Sequence, residues 1–207
     1  MAGAAFFDLD RTLLRGASGP IITEALIQAG LVDERTLSAQ QALYRVFDFV
    51  GENLPSIGLA RAAAVAAKGW PLDAVRDAGK AAAERLDALV APYARPIIDE
   101  HRAAGRPLVL ATTTPYELIR PLAERLGFDD VVATRYAHAD GVLTGALEGG
   151  FVWSQGKLAA VRTWAEEHGV DLADSYAYSD SIYDAPLLSA VGHPHAVNPD
   201  PRLTVFA

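Results

Sequence analysis

The chain has 207 residues, of which 51% are hydrophobic, and a formal net charge of −8 at pH 7. This composition excludes general disorder, and the absence of a basic cluster argues against nucleic acid or an anionic membrane as a partner. Because the chain has no cysteine, disulfides and a thiolate nucleophile are also excluded.

The first predicted strand ends in two acidic residues. The apolar pair Phe6-Phe7 is followed by Asp8 and Asp10, and alternate side chains of an extended chain point the same way. Two adjacent carboxylates repel each other unless a cation or a shared proton offsets the repulsion. The stretch therefore predicts a metal site. The same alternation predicts that Arg11 points away from Asp8.

The next segment, from Ser18 to about Val90, is rich in alanine and has helical periodicity. A first helix begins near Pro20 and stops at Gly30. Apolar residues with steps of four, three and four predict a second helix, and two further helices are predicted over 59–67 and 72–89. The residues of the second stripe are Leu43, Phe47, Val50 and Leu54. We expect three or four short helices packed together.

After Pro92 the pattern changes to alternating helices and strands. A helix is predicted over 95–104 and a buried strand over 108–111, ending in Thr112-Thr113-Thr114. Thr114 as N-cap, Pro115 at the first helical position and Glu117 at the third predict a capping box at the start of the next helix.

The last third continues this alternation. A strand is predicted over 131–133, followed by a hairpin from Tyr136 to Leu147 with its turn at Asp140-Gly141. A helix over 156–168 carries Lys157 in its first turn. The strand over 175–179 ends in Asp180, with Asp184 four residues further on, and a short helix over 186–190 and a strand over 195–197 complete the chain.

This order predicts an α/β fold with a Rossmann-like parallel sheet core, helices on both faces and an inserted helical-bundle cap. The core comprises residues 1–15 and 93–207, and the cap comprises 16–92. Ligands of such sheets bind beyond the carboxyl ends of the strands, where the acidic and threonine clusters lie. The four carboxylates exceed the charge of one Mg²⁺ and Lys157, which favours a phosphoryl group that is held transiently.

Four segments carry a family resemblance. In chain order, they resemble the four motifs of the haloacid dehalogenase superfamily, and the helical insert is similar to the cap of its phosphoserine-phosphatase-like branch. The segments are Asp8-Leu9-Asp10-Arg11-Thr12, Thr112 at a strand end, Gly156-Lys157, and Asp180-Ser181-Ile182-Tyr183-Asp184.

The resemblance implies a role for each matching residue. Asp8 would be the nucleophile that forms an aspartyl-phosphate, and Asp10 the general acid and base. The Mg²⁺ ligands would be Asp8, the backbone carbonyl of Asp10, and Asp180, with Asp184 acting indirectly. The groups that bind the substrate phosphate would be Thr112, Thr113 and Lys157.

The implied function is a Mg²⁺-dependent phosphatase that acts on a small organic phosphomonoester. Two alternatives remain open: a phosphotransferase or mutase on the same core, and a phosphoacceptor receiver-like signalling domain. In phosphoserine phosphatases two glycines follow the second motif, where this chain has Thr113 and Thr114, and a cap glutamate is replaced by the stretch Arg15-Gly16-Ala17-Ser18. Phosphoserine itself is therefore not assigned as the substrate.

The expected setting is the cytoplasm, because the N-terminal residues lack the basic region of a signal peptide and no apolar run approaches the roughly 18 residues that cross a bilayer. We expect a monomer or a homodimer, with no nucleic-acid or membrane partner.

Overall fold

The computed structural model describes residues 3–33 and 62–206. The predicted helix with the stripe Leu43 to Leu54 lies outside these ranges. Of the helix predicted over 59–67, residues 59–61 also lie outside them, and residues 62–66 are helical.

The sheet has six strands in the order β4-β3-β2-β1-β5-β6. All neighbouring pairs are parallel except β3 and β4, which form an antiparallel hairpin. Crossover helices connect the parallel strands, as parallel pairing requires. The six strands are β1 (Ala5–Phe7), β2 (Leu108–Pro115), β3 (Asp130–Ala139), β4 (Val142–Glu148), β5 (Tyr176–Ser179) and β6 (His193–Ala196).

Besides residues 62–66, seven α-helices lie within the described ranges. They are α1 (Gly19–Gln28), α2 (Leu72–Asp87), α3 (Ala94–Ala103), α4 (Tyr116–Leu126), α5 (Gln155–His168), α6 (Ala185–Leu188) and α7 (Pro201–Phe206). Within residues 3–33 and 62–206, no helix combines the length and the apolar character that a bilayer span requires.

The two faces of the sheet support two separate apolar cores. Successive strand residues point to opposite faces, so Phe7 packs with apolar residues of helices α1 to α4, whereas Phe6 packs with α5, α6 and α7. The ring of Phe6 meets the ring of Trp164 edge to face, with centroids 5.6 Å apart. This layering confirms the predicted α/β fold with helices on both faces of the sheet.

Part of the predicted cap is attached directly to the core. Helix α2 packs against α4, where Arg76 Nε lies 2.9 Å from Glu117 Oε2. Just before α2, three backbone hydrogen bonds join residues 69–72 to the hairpin turn and to β4 at residues 141 and 143. The two chain crossings between the predicted core and cap also pair with each other, at Leu14 and Val90.

Some predicted boundaries are wrong. Strand β2 continues through Thr114 to Pro115, so Thr114 is not the N-cap of α4, and no side-chain capping bond forms there. The capping box fails because Glu117 binds Arg76 instead. The strand predicted over 131–133 and the first hairpin strand form one continuous strand, β3. The turn at Asp140-Gly141 is confirmed, and both residues have the positive φ that a tight hairpin turn requires.

Candidate active site

Asp8 lies at the carboxyl end of β1, beside the end of β5. Its backbone N–H donates to the carbonyl of Tyr178 at 2.9 Å, which keeps the two strands together at this edge of the sheet. The ammonium of Lys157 lies 2.9 Å from Asp8 Oδ1 and 2.6 Å from Asp184 Oδ2. The structure therefore brings together three predicted site residues that are separated by up to 176 positions in sequence.

Lys157 is buried, with a side chain only 2% exposed. Lysine is almost never fully buried unless it is paired, and here two carboxylates pair with it. The close approach of the α5 N-terminus depends on Gly156, because a Cβ at that position would lie 2.2 Å from the carbonyl oxygen of Phe151. The glycine before the lysine thus brings the first turn of α5 close to the loop at Phe151.

Asp184 is held from two sides and has one unused oxygen. Its Oδ2 accepts from Lys157 and also from the hydroxyl of Ser179, at 2.7 Å. Its Oδ1 is buried and has no hydrogen-bond partner among the described residues. A buried carboxylate oxygen without a partner is unfavourable, so binding of a cation or a hydrogen-bond donor at this atom would be favourable.

Arg11 contacts the other acid of this loop. Its Nε lies 2.9 Å from Asp180 Oδ2, and the Asp180 side chain is 5% exposed. Alternation along an extended strand predicted that Arg11 points away from Asp8. That premise is wrong, because residues 9–13 form a wide helical turn closed by Leu14 N–H and Leu9 O, and Arg11 has a φ of 58°.

Asp10 faces the start of the insert. Its Oδ1 accepts a short hydrogen bond from the backbone N–H of Ser18, which immediately precedes α1. The turn after β1 and the first residues of the insert are therefore connected through the carboxylate for which the family resemblance implies acid and base catalysis.

The two candidate phosphate-binding threonines lie near the end of β2. The hydroxyl of Thr112 is buried and accepts from the backbone N–H of Thr114 at 3.2 Å. The hydroxyl oxygen of Thr113 is buried and has no hydrogen-bond partner within the described ranges. Because a hydroxyl that accepts one bond retains its own hydrogen, both side chains keep a donor for a ligand oxygen.

The comparison with family models decides the relationship. Residues 5–189 match the haloacid dehalogenase-like hydrolase model, which is most of the chain and includes all seven predicted site residues. The chain belongs to the haloacid dehalogenase-like hydrolase family.

Individual relatives place the chain in the phosphoserine-phosphatase-like branch of this family. A protein named phosphoserine phosphatase SerB1 from Mycobacterium tuberculosis is 34% identical over 213 residues, covering 100% of this chain and 68% of the relative. A histidinol-phosphatase from Neisseria meningitidis is 30% identical over 208 residues, covering 98% of this chain and 93% of the relative. The chain is accordingly an enzyme of the phosphatase class.

A solved structure has a similar fold. A protein of unknown function from Bordetella pertussis Tohama I has a TM-score of 0.79 and 29% identity, and the match covers 100% of this chain and 95% of that one. The parallel sheet with helices on both faces is thus shared with a relative over nearly its full length.

The residues of this hydrolase fit a divalent cation. Lys157 pairs with Asp8 and Asp184, and Arg11 pairs with Asp180, while Asp184 Oδ1 is buried and has no hydrogen-bond partner among the described residues. Within the described ranges, no three acidic or histidine side chains are grouped closely enough to hold a metal. The predicted ligand set depends on the backbone carbonyl of Asp10 as its third protein ligand, and hard oxygen ligands of this kind suit Mg²⁺.

Sequence reasoning missed several residues that support the site. Ser179, Arg11 and Asn198 contact the site residues or the turn that carries them. Tyr93 donates to the carbonyl of Thr12 at 2.7 Å, and its pKa is raised above its usual value by burial and by the charge of Asp180. Only Ser179 carried a sequence signal, because it directly precedes Asp180 at the strand end. The other contacts depend on tertiary structure.

Proposed function

We propose that the protein is a Mg²⁺-dependent phosphatase that hydrolyses a small organic phosphomonoester through an aspartyl-phosphate on Asp8. The observation that carries this proposal is the buried Lys157 ammonium between Asp8 and Asp184. It supports Asp8 as the nucleophile because Asp8 is the more accessible of the two carboxylates, with 11% of its side chain exposed against 2% for Asp184.

The proposed first step transfers the phosphoryl group to the enzyme. A carboxylate oxygen of Asp8 forms a bond to phosphorus while the bond from phosphorus to the alcohol oxygen breaks. Asp10, as the carboxylic acid, gives its proton to the departing alcohol oxygen. Its contact with Ser18 N–H supports this role, because it places Asp10 beside the insert that we propose covers the alcohol portion.

The proposed second step regenerates the enzyme. Water attacks the phosphorus of the aspartyl-phosphate, Asp10 as the carboxylate accepts a proton from that water, and the bond from Asp8 to phosphorus breaks to release inorganic phosphate. Asp8, the carbonyl of Asp10, and Asp180 would hold Mg²⁺, which would supply positive charge to the transferring phosphoryl group. Lys157 adds a fixed positive charge at Asp8, which lowers the repulsion between Asp8 and an anionic substrate.

The threonines at the end of β2 are proposed to donate to phosphoryl oxygens. Thr113 is the sharper case, because its buried hydroxyl has no partner among the described residues. Thr113→Val keeps the shape of the side chain and removes the hydrogen-bond donor. We therefore expect inorganic phosphate to inhibit more weakly, with a larger inhibition constant, and we expect no loss of stability. An unchanged inhibition constant would remove Thr113 from the phosphate site.

The decisive experiment is Asp8→Asn assayed with para-nitrophenyl phosphate at saturating Mg²⁺. We expect loss of at least about three orders of magnitude in kcat, since removal of a nucleophile leaves only the binding contribution. Asp99→Asn is the matched control, because its carboxylate is 69% exposed and pairs only with Arg102 in the described contacts. Full activity in Asp8→Asn would refute the proposal.

The substrate class can be ranked with a panel of phosphorylated metabolites. Phosphoserine and histidinol phosphate belong in that panel, because relatives bear the corresponding names. The insert over 16–92, the proposed cap, would determine which alcohol portion the enzyme accepts. Values of kcat/KM across the panel measure that selectivity. Values measured with and without Mg²⁺ also test the cofactor.

A further inference from the structure

The turn after β6 contacts both loops that carry the predicted metal ligands. We name residues Asn198, Pro199 and Asp200 the 198–200 turn. It follows the last strand of the sheet, and the preceding residue, Val197, donates its N–H to the carbonyl of Ser179 at 2.9 Å. The turn is therefore anchored to the end of β5 immediately before Asp180.

Asn198 binds the loop after β1. Its side-chain amide donates to the carbonyl of Arg11 at 2.9 Å and to the hydroxyl oxygen of Tyr93 at 2.8 Å. Tyr93 in turn donates to the carbonyl of Thr12 at 2.7 Å. Two consecutive carbonyls of the turn that follows Asp10 are thus fixed directly or through one hydroxyl. Asn198 has a φ of 45°, which asparagine tolerates better than most residues.

Asp200 binds the loop after β5. Its backbone N–H donates to the carbonyl of Asp180 at 2.8 Å, and its Oδ2 accepts from the N–H of Ile182 at 2.9 Å. Its Oδ1 accepts from the N–H groups of Arg202 and Leu203 at the start of α7, both at 2.8 Å. The Asp200 residue is 3% exposed, so these bonds are shielded from water and hold the loop firmly.

We propose that the 198–200 turn is a positioning element that sets the separation of the Asp10 carbonyl from the Asp180 carboxylate and thereby controls the affinity for Mg²⁺. This inference rests on the proposed metal-dependent function. Strand pairing between β1 and β5 fixes the chain as far as Asp8, but residues 9–13 leave the strand geometry, and Arg11 has a φ of 58°. The 198–200 turn holds the backbone of the two loops beyond the point where the pairing of β1 with β5 ends.

The test variant is Asn198→Gly. Glycine adopts a positive φ without strain, so the variant removes both amide hydrogen bonds and leaves the backbone conformation accessible. Removal of a residue that holds a metal ligand in place by a hydrogen bond typically changes metal affinity by about 10-fold or more. We expect the dissociation constant for Mn²⁺, followed by electron paramagnetic resonance without substrate, to rise about 10-fold. We also expect excess Mg²⁺ to restore kcat.

Asp171→Ala is the matched control. Asp171 also accepts a hydrogen bond from a backbone N–H at the start of a helical turn, that of Ala173 at 2.9 Å, but it lies at the opposite edge of the sheet from the site. The Asp171→Ala substitution should lower stability without changing Mn²⁺ affinity. Asp200→Asn gives a second reading, because it keeps the shape of the side chain while weakening the bonds to Ile182 and α7, and it should also weaken Mn²⁺ binding.

Three results would overturn the proposal. Unchanged Mn²⁺ affinity in both Asn198→Gly and Asp200→Asn would show that the turn does not position the ligands. An equal loss of affinity in Asp171→Ala would reduce the effect to general stability. If the wild-type protein binds no Mn²⁺, or if Asp180→Asn binds Mn²⁺ as tightly as the wild type, the metal-dependent function fails together with this inference. Those two measurements do not involve the 198–200 turn and therefore identify that case.

Discussion

Lys157→Met tests whether the buried ammonium stabilises the fold. Methionine keeps the length of the side chain and removes its charge, leaving the carboxylates of Asp184 and Asp8 without the ammonium that contacts them at 2.6 and 2.9 Å. Both Lys157 and Asp184 have side chains only 2% exposed. Removal of one partner of a buried pair costs about 3–5 kcal/mol. At about 2–4 °C per kcal/mol for a chain of this size, Tm should fall by about 6–20 °C.

Lys80→Met is the matched control. Lys80 Nζ also lies 2.9 Å from a carboxylate oxygen, that of Asp77, but the two side chains are 70% and 71% exposed. Exposed pairs contribute less than about 1 kcal/mol, so the free energy of unfolding of this variant should be close to that of the wild type. Urea unfolding followed by circular dichroism, together with calorimetry at pH 7, gives both free energies of unfolding under the same conditions.

A double variant separates the ion pair from the loss of packing. Lys157→Met combined with Asp184→Asn removes both charges of the shorter contact, so the destabilisation should be smaller than the sum of the two single effects by about 2 kcal/mol. A free energy of unfolding for Lys157→Met within 1 kcal/mol of the wild type, or strictly additive single effects, would refute the argument that the buried charges depend on each other.

Three further predictions follow from packing and ionisation. Gly79→Ala should destabilise the fold by about 1–3 kcal/mol in urea unfolding, because a Cβ there would lie 2.6 Å from the carbonyl oxygen of Glu117; a gain in stability, as helix propensity alone implies, would contradict this. The pKa of His101 is lowered by burial and by the charge of Arg106, so the unfolded state binds the proton more readily. Stability present above pH 6.5 should be lost as the pH falls through the lowered pKa, and His101→Gln should reduce that loss. Burial raises the pKa of Tyr178 to about 12, so absorbance at 295 nm should show a phenol titrating near pH 12 that Tyr178→Phe lacks, and stability should decline above pH 10 as the unfolded phenol ionises.

The features predicted correctly are those encoded in short stretches of sequence. The consecutive apolar pair Phe6 and Phe7 predicted a buried strand, and the two rings lie in separate cores on opposite faces of the sheet. The parallel pairing places the carboxyl ends of β1, β2, β3, β5 and β6 at one side of the sheet, where Asp8, Asp184 and Lys157 meet although they are distant in sequence. Topology replaces the need for a long-range signal, because parallel strands bring their carboxyl ends to the same side.

Local patterns failed where a side chain had a competing tertiary partner. Thr114, Pro115 and Glu117 satisfy the spacing of a capping box, but the strand extends to Pro115 and Glu117 binds Arg76, 41 positions away. Local propensity is a weak preference that such contacts override. The premise of the Arg11 prediction is wrong for a related reason, since it assumed that strand alternation continues past Asp8, whereas the chain turns at residues 9–13.

The 198–200 turn shows which part of a site a single sequence leaves undetermined. Asn198 before Pro199 indicates a turn, and Asp200 before Pro201 is typical of a helix start, so both residues have a sufficient local explanation. Nothing in that local pattern indicates that Asn198 binds a carbonyl 187 positions away or that Asp200 binds the loop after β5. A polar residue that already satisfies a local motif has remaining hydrogen-bonding capacity, and tertiary structure decides where that capacity is used. Motif residues at the strand ends are therefore easier to predict from sequence than the residues that hold their loops in place.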